Sequence, residues 1–262
     1  MCSGTELVSE HASRNLHLLL AKRPEFDKGD YEEAIKAALT DEDSILLNNF
    51  KTKTTEPAVS GSTVAICFIN LTKGEMVVAN LGDSHVVLAE RDPRNDHPYH
   101  IHRLTKSHKP DVPSERSRIE DAGGTVNNRT GTARLGSLNM SRAIGDLQYK
   151  NPINKVDDSE ASKKTRRASG SSDPGSRGDY LSNVPHINRQ TLQSDRRYVV
   201  VVTSDGVSDN IDDTTLIRKV LSLSMRGMRA GDIAQDVANT TASKPGSDNG
   251  SCIVALLDGQ DS

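Results

Sequence analysis

Four aspartates occupy positions from which they could bind a divalent cation. Asp83, Asp205, Asp209 and Asp248 each lie at the end of a predicted β-strand or in the turn that follows it. Because strand ends gather residues from distant parts of a chain around one cleft, these carboxylates could converge. Carboxylate oxygens suit hard cations such as Mg²⁺ or Mn²⁺, which keep several waters for exchange with a substrate.

Each aspartate also has an explanation that involves no metal. An aspartate after a strand commonly forms a turn or caps the next helix. The side-chain types alone therefore leave both interpretations open. A calcium-binding loop is disfavoured, because the sequence has no Asp-x-Asp-x-Asp-Gly motif.

Two amphipathic helices and a strand-rich core are the first elements predicted to position these residues. Apolar residues recur at helical spacing from Leu7 to Leu20, and a second helix follows Asp30, a plausible N-cap, as far as Leu46. Three short β-rich runs then predict an antiparallel meander: Val64–Ile69, Glu75–Asn80 and His85–Glu90.

Further elements complete an α+β pattern. A helix over Ser114–Ala122 should stop at Gly123-Gly124, and the β-branched run Tyr198–Thr203 is typical of a central strand. Two more helices and a last strand follow: Thr214–Met225, Gly231–Ala242 and Cys252–Leu257. Helices grouped before and after the strands favour α+β over alternating βαβ units. We expect residues 1–262 to form one domain.

A polar segment at about 151–178 interrupts this pattern. It has almost no large apolar residues, in a chain that is only 34% hydrophobic, and composition of this kind predicts a disordered insertion. The segment contains Arg166-Arg167-Ala168-Ser169, which makes Ser169 a candidate phosphorylation site for a basophilic kinase. Any exposed basic linker could contain such a tetrapeptide by chance.

Charge and cysteine content limit the classes of partner and compartment. The 33 basic and 36 acidic residues give a net charge of -3, so no overall field favours nucleic acid or an anionic membrane. No apolar run approaches the roughly 20 residues that cross a bilayer. Three cysteines without paired metal spacing indicate reduced intracellular thiols. We expect a soluble monomer of the cytoplasm or nucleus, with an organelle still open.

Five stretches, in order, give the chain a family resemblance: Gly61–Thr63; Ala79–Ser84; Leu104-Thr105 with His108–Pro110 and Ile119–Val126; Gly136–Leu138 with Ser141–Asp146; and Thr203–Asp209 with Ser247–Asn249. They resemble motifs of the type 2C metal-dependent protein serine/threonine phosphatases. The resemblance implies two antiparallel sheets packed as a sandwich and flanked by helices on both sides, in four αββα layers.

The resemblance also implies roles for particular residues. Asp205 and Asp248 match ligands of a first metal, and Asp83 and Asp209 match positions that, with Asp205, hold a weaker additional metal. The remaining matched residues are expected to shape the structure near the site: Gly206 and Asn249 in turns, Arg142 and Asp146 as a buried pair, and His108 as a polar cleft residue, a helix cap or a surface group.

The implied activity is hydrolysis of phosphoserine and phosphothreonine in phosphoproteins during signal transduction. A water activated by bound Mg²⁺ or Mn²⁺ attacks the phosphate, so no side chain of this sequence is assigned as a nucleophile. The absence of a Cys-x5-Arg loop, a Gly-x-Ser-x-Gly elbow and a Walker A loop agrees with this mechanism.

The start of the sequence departs from the family pattern. Met1–Thr5 stands where the family has an Asp-Gly-His-Gly-Gly turn, so the bridging Asp, the general-acid His and a phosphate-binding arginine have no counterparts. We therefore expect an N-terminally truncated phosphatase with reduced metal affinity and an incomplete sandwich. The alternative is a catalytically inactive fold that serves as a binding or regulatory module.

Overall fold

The computed structural model describes residues 2–3, 6–52, 59–92, 94, 98–128, 131–155, 178–243 and 249–259. They form two compact units, the first from 63–107 and 185–262, the second from 2–62 and 108–184. No helix formed by these described residues is long and apolar enough to cross a membrane.

The elements are numbered along the chain. The described helices are α1 (Leu7–Ala21), α2 (Pro24–Asp27), α3 (Tyr31–Thr52), α4 (Pro113–Asp121), α5 (Asp205–Ser208), α6 (Asp213–Met225) and α7 (Ala230–Ala242). The described strands are β1 (Cys2–Ser3), β2 (Gly61–Ser62), β3 (Val64–Asn70), β4 (Glu75–Leu81), β5 (His85–Arg91), β6 (His100–Arg103), β7 (Val126–Asn127), β8 (Arg134–Leu135), β9 (Ile144–Gly145), β10 (His186–Thr191), β11 (Arg197–Thr203) and β12 (Cys252–Leu257).

The first unit is built on two antiparallel sheets, with strand orders β10-β4-β3 and β12-β11-β5-β6. Alternate residues of β11 point in opposite directions, as the pleat requires. Val200 joins an apolar cluster that includes Met76 and Val78 of the other sheet. Val199 and Val201 instead pack with the helices α6 and α7. The first unit therefore has a sheet–sheet–helix order, which confirms an α+β fold with a central β11.

The predicted three-strand meander is wrong at its second turn. β4 pairs with β3 and β10, whereas β5 pairs with β11 and β6, so Gly82–Ser84 is a corner between two sheets. Both strands are almost wholly buried, and short buried runs look the same in the sequence whether a hairpin or a corner joins them. Gly82, at φ 89°, allows the chain to change direction there.

The start of α3 and the end of α4, in the second unit, lie where the capping signals predict, although α3 continues past the predicted Leu46 to Thr52. The Glu33 N–H donates to Asp30 Oδ1 at 3.3 Å at the start of α3. At the end of α4 the Gly124 N–H donates to the Ile119 carbonyl at 2.8 Å, while Gly123 has a left-handed φ of 90°. This is a Schellman arrangement, which satisfies carbonyls at a helix end.

The polar segment after residue 150 is described only at its two ends. Asn154 Nδ2 donates to the Gly178 carbonyl at 2.8 Å, and the Asn151 N–H donates to Asp179 Oδ1 at 2.7 Å. These bonds hold the two ends together. Residues 156–177, and with them the candidate phosphorylation site Ser169, lie outside the described residues. Disorder of this segment remains a prediction.

A buried ion pair fastens α3 to the rest of the second unit. Asp43 Oδ2 accepts from Lys150 Nζ at 2.6 Å and from Asn183 Nδ2 at 2.9 Å, and Asp43 Oδ1 accepts from the Gly145 N–H at 2.8 Å. Lys150 Nζ also donates to the Ala143 carbonyl. Both charges are buried, and the carboxylate of Asp43 is the acidic partner of Lys150, so each charge depends on the other.

We predict that Asp43→Ala lowers the free energy of unfolding by about 3–5 kcal/mol, because it leaves the Lys150 charge buried without its partner. The double variant Asp43→Leu, Lys150→Met removes both charges and should cost less. Urea unfolding followed by circular dichroism measures these values.

Asp41→Ala is the matched control on the same helix, because the Arg23–Asp41 pair is much more accessible to solvent, with side chains 30% and 39% exposed. Its loss should cost less than about 1 kcal/mol. Equal destabilisation by Asp41→Ala and Asp43→Ala would contradict the importance of the buried pair.

Candidate metal centre

Asp205 begins the short helix α5 immediately after the central strand β11. The residue is only 4% exposed, and the Gly206 N–H donates to its Oδ1 at 2.9 Å. A second bond, from Asn210 Nδ2 to the Gly206 carbonyl at 2.9 Å, closes the turn that follows. The strand and this turn together hold one carboxylate in a fixed orientation at the end of the sheet.

Strand register brings three segments to that same end of the sheet. Thr203, the last residue of β11, pairs with His85 on one side and with Cys252 on the other. The chain before His85, the chain after Thr203 and the chain before Cys252 therefore emerge together. Ser204 and Ser251 strengthen the junction, since the Ser204 N–H donates to the Ser251 carbonyl at 3.1 Å and the Ser251 N–H to Ser204 Oγ at 2.9 Å.

The other three predicted ligands differ in their surroundings. Asp83 lies in the corner between β4 and β5, is 3% exposed, and has a buried Oδ1. Asp209 is exposed at the end of α5. The pKa of Arg103 is raised mainly by its hydrogen bond to Asp213, and the negative charge of Asp209 contributes to the same shift. Asp248 lies outside the described residues.

The donors at this end of the sheet fit a hard divalent cation in their chemistry. Beside the two buried carboxylates, Thr203 Oγ1 and Ser208 Oγ are buried without a hydrogen-bond partner in the described part of the chain. Buried hydroxyls of this kind normally bind water or an ion. Among the described residues, however, no three His, Cys, Asp or Glu side chains form a cluster that could hold a metal. A complete coordination sphere would therefore need further ligands, either Asp248, which lies outside the described residues, or water.

Asn249 and His108 occupy different settings. The Asn249 carbonyl accepts a long hydrogen bond from Ser204 Oγ at 3.5 Å, which ties its turn to the end of β11. His108, in the second unit, is 4% exposed, and its carbonyl accepts from both the N–H and the Oγ of Ser141. The expectation of a surface histidine is therefore wrong, because this segment is buried against the one that carries Ser141.

Arg142 binds Glu115, whereas we expected a buried pair with Asp146. Arg142 Nε donates to both carboxylate oxygens of Glu115, at 3.0 and 3.1 Å, and Arg118 and Ser141 also donate to this carboxylate. The helix α4 contains several charged residues, and the sequence alone does not show that Glu115 is the buried carboxylate among them. The (i, i+3) spacing of Glu115 and Arg118 was the available signal.

Asp146 has a different structural setting in the same unit. It is 2% exposed, adopts a left-handed φ of 46°, and donates its N–H to the Ser60 carbonyl at 2.7 Å. A Cβ at position 61 would lie 2.1 Å from Asp146 Oδ2, so only glycine leaves room for this carboxylate. The motif residues Gly61 and Asp146 are therefore complementary in shape.

With the fold and the acidic strand ends established, comparison with known proteins identifies the class. The chain matches the family model described as Protein phosphatase 2C over residues 3–250, and it therefore belongs to that family.

Particular relatives are similar at moderate identity. Protein phosphatase 2C 1 of Paramecium tetraurelia is 28% identical over 84% of this chain and 65% of its own length. Protein phosphatase 2C homolog 3 of Schizosaccharomyces pombe is 28% identical over 98% of this chain and 55% of its own length. The chain thus spans about half to two thirds of the length of the curated relatives it matches.

Solved structures share the fold. The structure of a C. elegans sex determining protein aligns with a TM-score of 0.73 at 20% identity, covering 98% of this chain and 55% of that one. The serine-threonine phosphatase 2C from Toxoplasma gondii aligns with a TM-score of 0.69 at 18% identity, covering 94% and 80% respectively. At these identities the likeness concerns the fold alone.

The Glu115 carboxylate makes stability depend on pH. Burial raises its pKa, but hydrogen bonds from Arg142 and Ser141 and the charges of Arg142 and Arg118 outweigh burial and lower it to about 2, from an ordinary value of 4.5. Because the folded-state pKa is depressed, the ionised carboxylate stabilises the fold fully above pH 4.5. That contribution disappears as the pH falls towards 2.

We predict that Glu115→Gln lowers the free energy of unfolding by about 3 kcal/mol at pH 7 and that the difference from the parent shrinks between pH 4.5 and 2. Urea unfolding at a series of pH values measures this. Glu120→Gln, an exposed position on the same helix, should follow the parent at every pH. A constant difference down to pH 2 would refute the assigned role.

Proposed function

We propose that the chain hydrolyses phosphoserine and phosphothreonine in proteins, using a water activated by bound Mg²⁺ or Mn²⁺. The observation that supports this proposal is the common end of β5, β11 and β12, where register brings together the corner that contains Asp83, the turn that contains Asp205 and the first residue of β12, four positions after Asp248 in the sequence. In a Protein phosphatase 2C family member, this is the location at which we place catalysis.

Asp205 and Asp248 would hold the first ion, and Asp83 and Asp209, with Asp205, a weaker additional one. A divalent ion bound there supplies a coordinated water of lowered pKa and neutralises charge on the phosphate. The Gly206 N–H holds Asp205 Oδ1, so this carboxylate is oriented before anything binds. Burial of Asp83 and Asp205 limits competition from bulk water.

The proposed substrate class rests on membership of the Protein phosphatase 2C family. Phosphoproteins are the proposed partners, and the net charge of -3 gives no reason to expect nucleic acid or a membrane surface. We also propose that the protein is a monomer, acts in signal transduction and is located inside the cell, in the cytoplasm or nucleus. These proposals rest on the sequence composition and the family.

A second candidate function is a binding or regulatory module without catalysis. The observation that favours it is the small number of metal ligands: the part of the chain that the structure describes has no cluster of three or more metal-ligating side chains. Such a module would recognise a phosphorylated segment without hydrolysing it.

We predict Mn²⁺-dependent release of phosphate from a phosphothreonine peptide by the purified chain. Asp205→Asn and Asp248→Asn should each lower kcat/KM by about 100-fold or more, because loss of a ligand removes several kcal/mol of transition-state stabilisation. Asp236→Asn is the matched control, since its carboxylate forms a partly exposed pair with Lys219 on the helices of the same unit. It should retain parental activity.

Three outcomes separate the candidate functions. Release of phosphate that is lost in both site variants but not in the control supports the phosphatase. Binding of the phosphopeptide by calorimetry, with no release under any metal condition, supports the binding module instead. Equal activity of Asp205→Asn and the parent would mean that the assigned centre is not the site of reaction.

A further inference from the structure

We propose that Asn80 and His85 are positioning residues that fasten the Gly82–Ser84 corner, and with it Asp83, to the chain segment 104–107. The inference rests on the proposed function, because it concerns the place of a predicted metal ligand. Both residues lie in the first unit, on either side of the corner that joins its two sheets.

Asn80 binds the 104–107 segment on one side of the corner. Its side chain is 1% exposed, and Nδ2 donates to the Lys106 carbonyl at 2.7 Å and to the Gly82 carbonyl at 3.3 Å. Its Oδ1 accepts from the Lys106 N–H at 3.3 Å. One amide therefore pairs with both backbone groups of Lys106 and holds the corner itself.

His85 makes the corresponding contacts on the other side. The residue is 4% exposed, and its Nδ1 lies 3.1 Å from Thr105 Oγ1, which also accepts from the Val86 N–H at 3.2 Å. His85 Nε2 lies 3.5 Å from Ser107 Oγ. Both ring nitrogens thus face hydroxyl groups of the same segment.

The hydrogen bonds of Asn80 and His85 hold the corner at a point where the strands do not pair. A corner between two sheets interrupts the hydrogen-bond ladder, so the position of its residues depends on side chains and on the turn. Asp83 lies between Asn80 and His85 in the chain. His85 pairs with Thr203 of β11, and Thr203 is two residues before Asp205. The fastening therefore sets Asp83 relative to the end of β11. Groups that orient metal ligands in this way typically change metal affinity 10–100-fold when they are removed.

The test compares His85→Leu with His85→Asn. Leucine makes no hydrogen bond, whereas the asparagine amide can occupy the position of Nδ1 and bond to Thr105. We expect His85→Leu to weaken binding of the additional Mn²⁺ ion, the one assigned to Asp83, about 10–100-fold, and His85→Asn to restore most of that affinity. Titration of Mn²⁺ followed by electron paramagnetic resonance gives the Mn²⁺ dissociation constants of the parent and of each variant. Asn80→Ser provides an independent variant with the same expected loss.

A second readout does not depend on metal. Hydrogen exchange of metal-free protein, followed by mass spectrometry, should accelerate at least 10-fold over residues 80–86 in His85→Leu and in Asn80→Ser. The control His102→Leu, at an exposed position on β6, should change neither exchange nor Mn²⁺ affinity.

The outcomes distinguish this inference from the proposed function. Unchanged exchange over 80–86, or accelerated exchange with unchanged Mn²⁺ affinity, would overturn the positioning role even if the chain is an active phosphatase. If the parent binds no Mn²⁺ while exchange responds as expected, the corner is fastened as proposed and the metal-dependent function is wrong.

Discussion

Antiparallel pairing of the central strand β11 with β5 and β12 is the constraint on which the candidate centre depends. Its register places Thr203 opposite both His85 and Cys252. A shift by one residue would turn every side chain of the strand to the other face. The apolar alternation of β11, with one set of valines against the second sheet and the other against the helices, opposes that shift. Core packing therefore decides where the acidic segments emerge.

Buried polar groups complete what apolar packing leaves open. In the first unit, Asn80 and His85 act on a corner without a backbone ladder. In the second, Asp43 and Glu115 each collect several donors from segments far apart in the chain. Since a buried charge is costly unless it is fully hydrogen-bonded, such groups permit few alternative arrangements.

Two independent observations support the proposed phosphatase function. One is membership of the Protein phosphatase 2C family, and the other is the geometry of the acidic strand ends. The family describes residues 3–250 as a whole, while the geometry concerns a few side chains at one end of one sheet. The centre is oxygen-rich and partly buried, and its described residues hold fewer than three clustered metal-ligating side chains.

The sequence by itself determined the family, the α+β class and most element boundaries, because these depend on local signals. Glycine at a helix end, an aspartate N-cap and β-branched runs act within a few residues. Tertiary structure alone decided that Gly82–Ser84 is a corner between sheets, that Arg142 binds Glu115, and that His108 is buried. Those facts depend on contacts between distant segments, and a charged or polar residue has the same local signature whether its partner lies nearby or far along the chain.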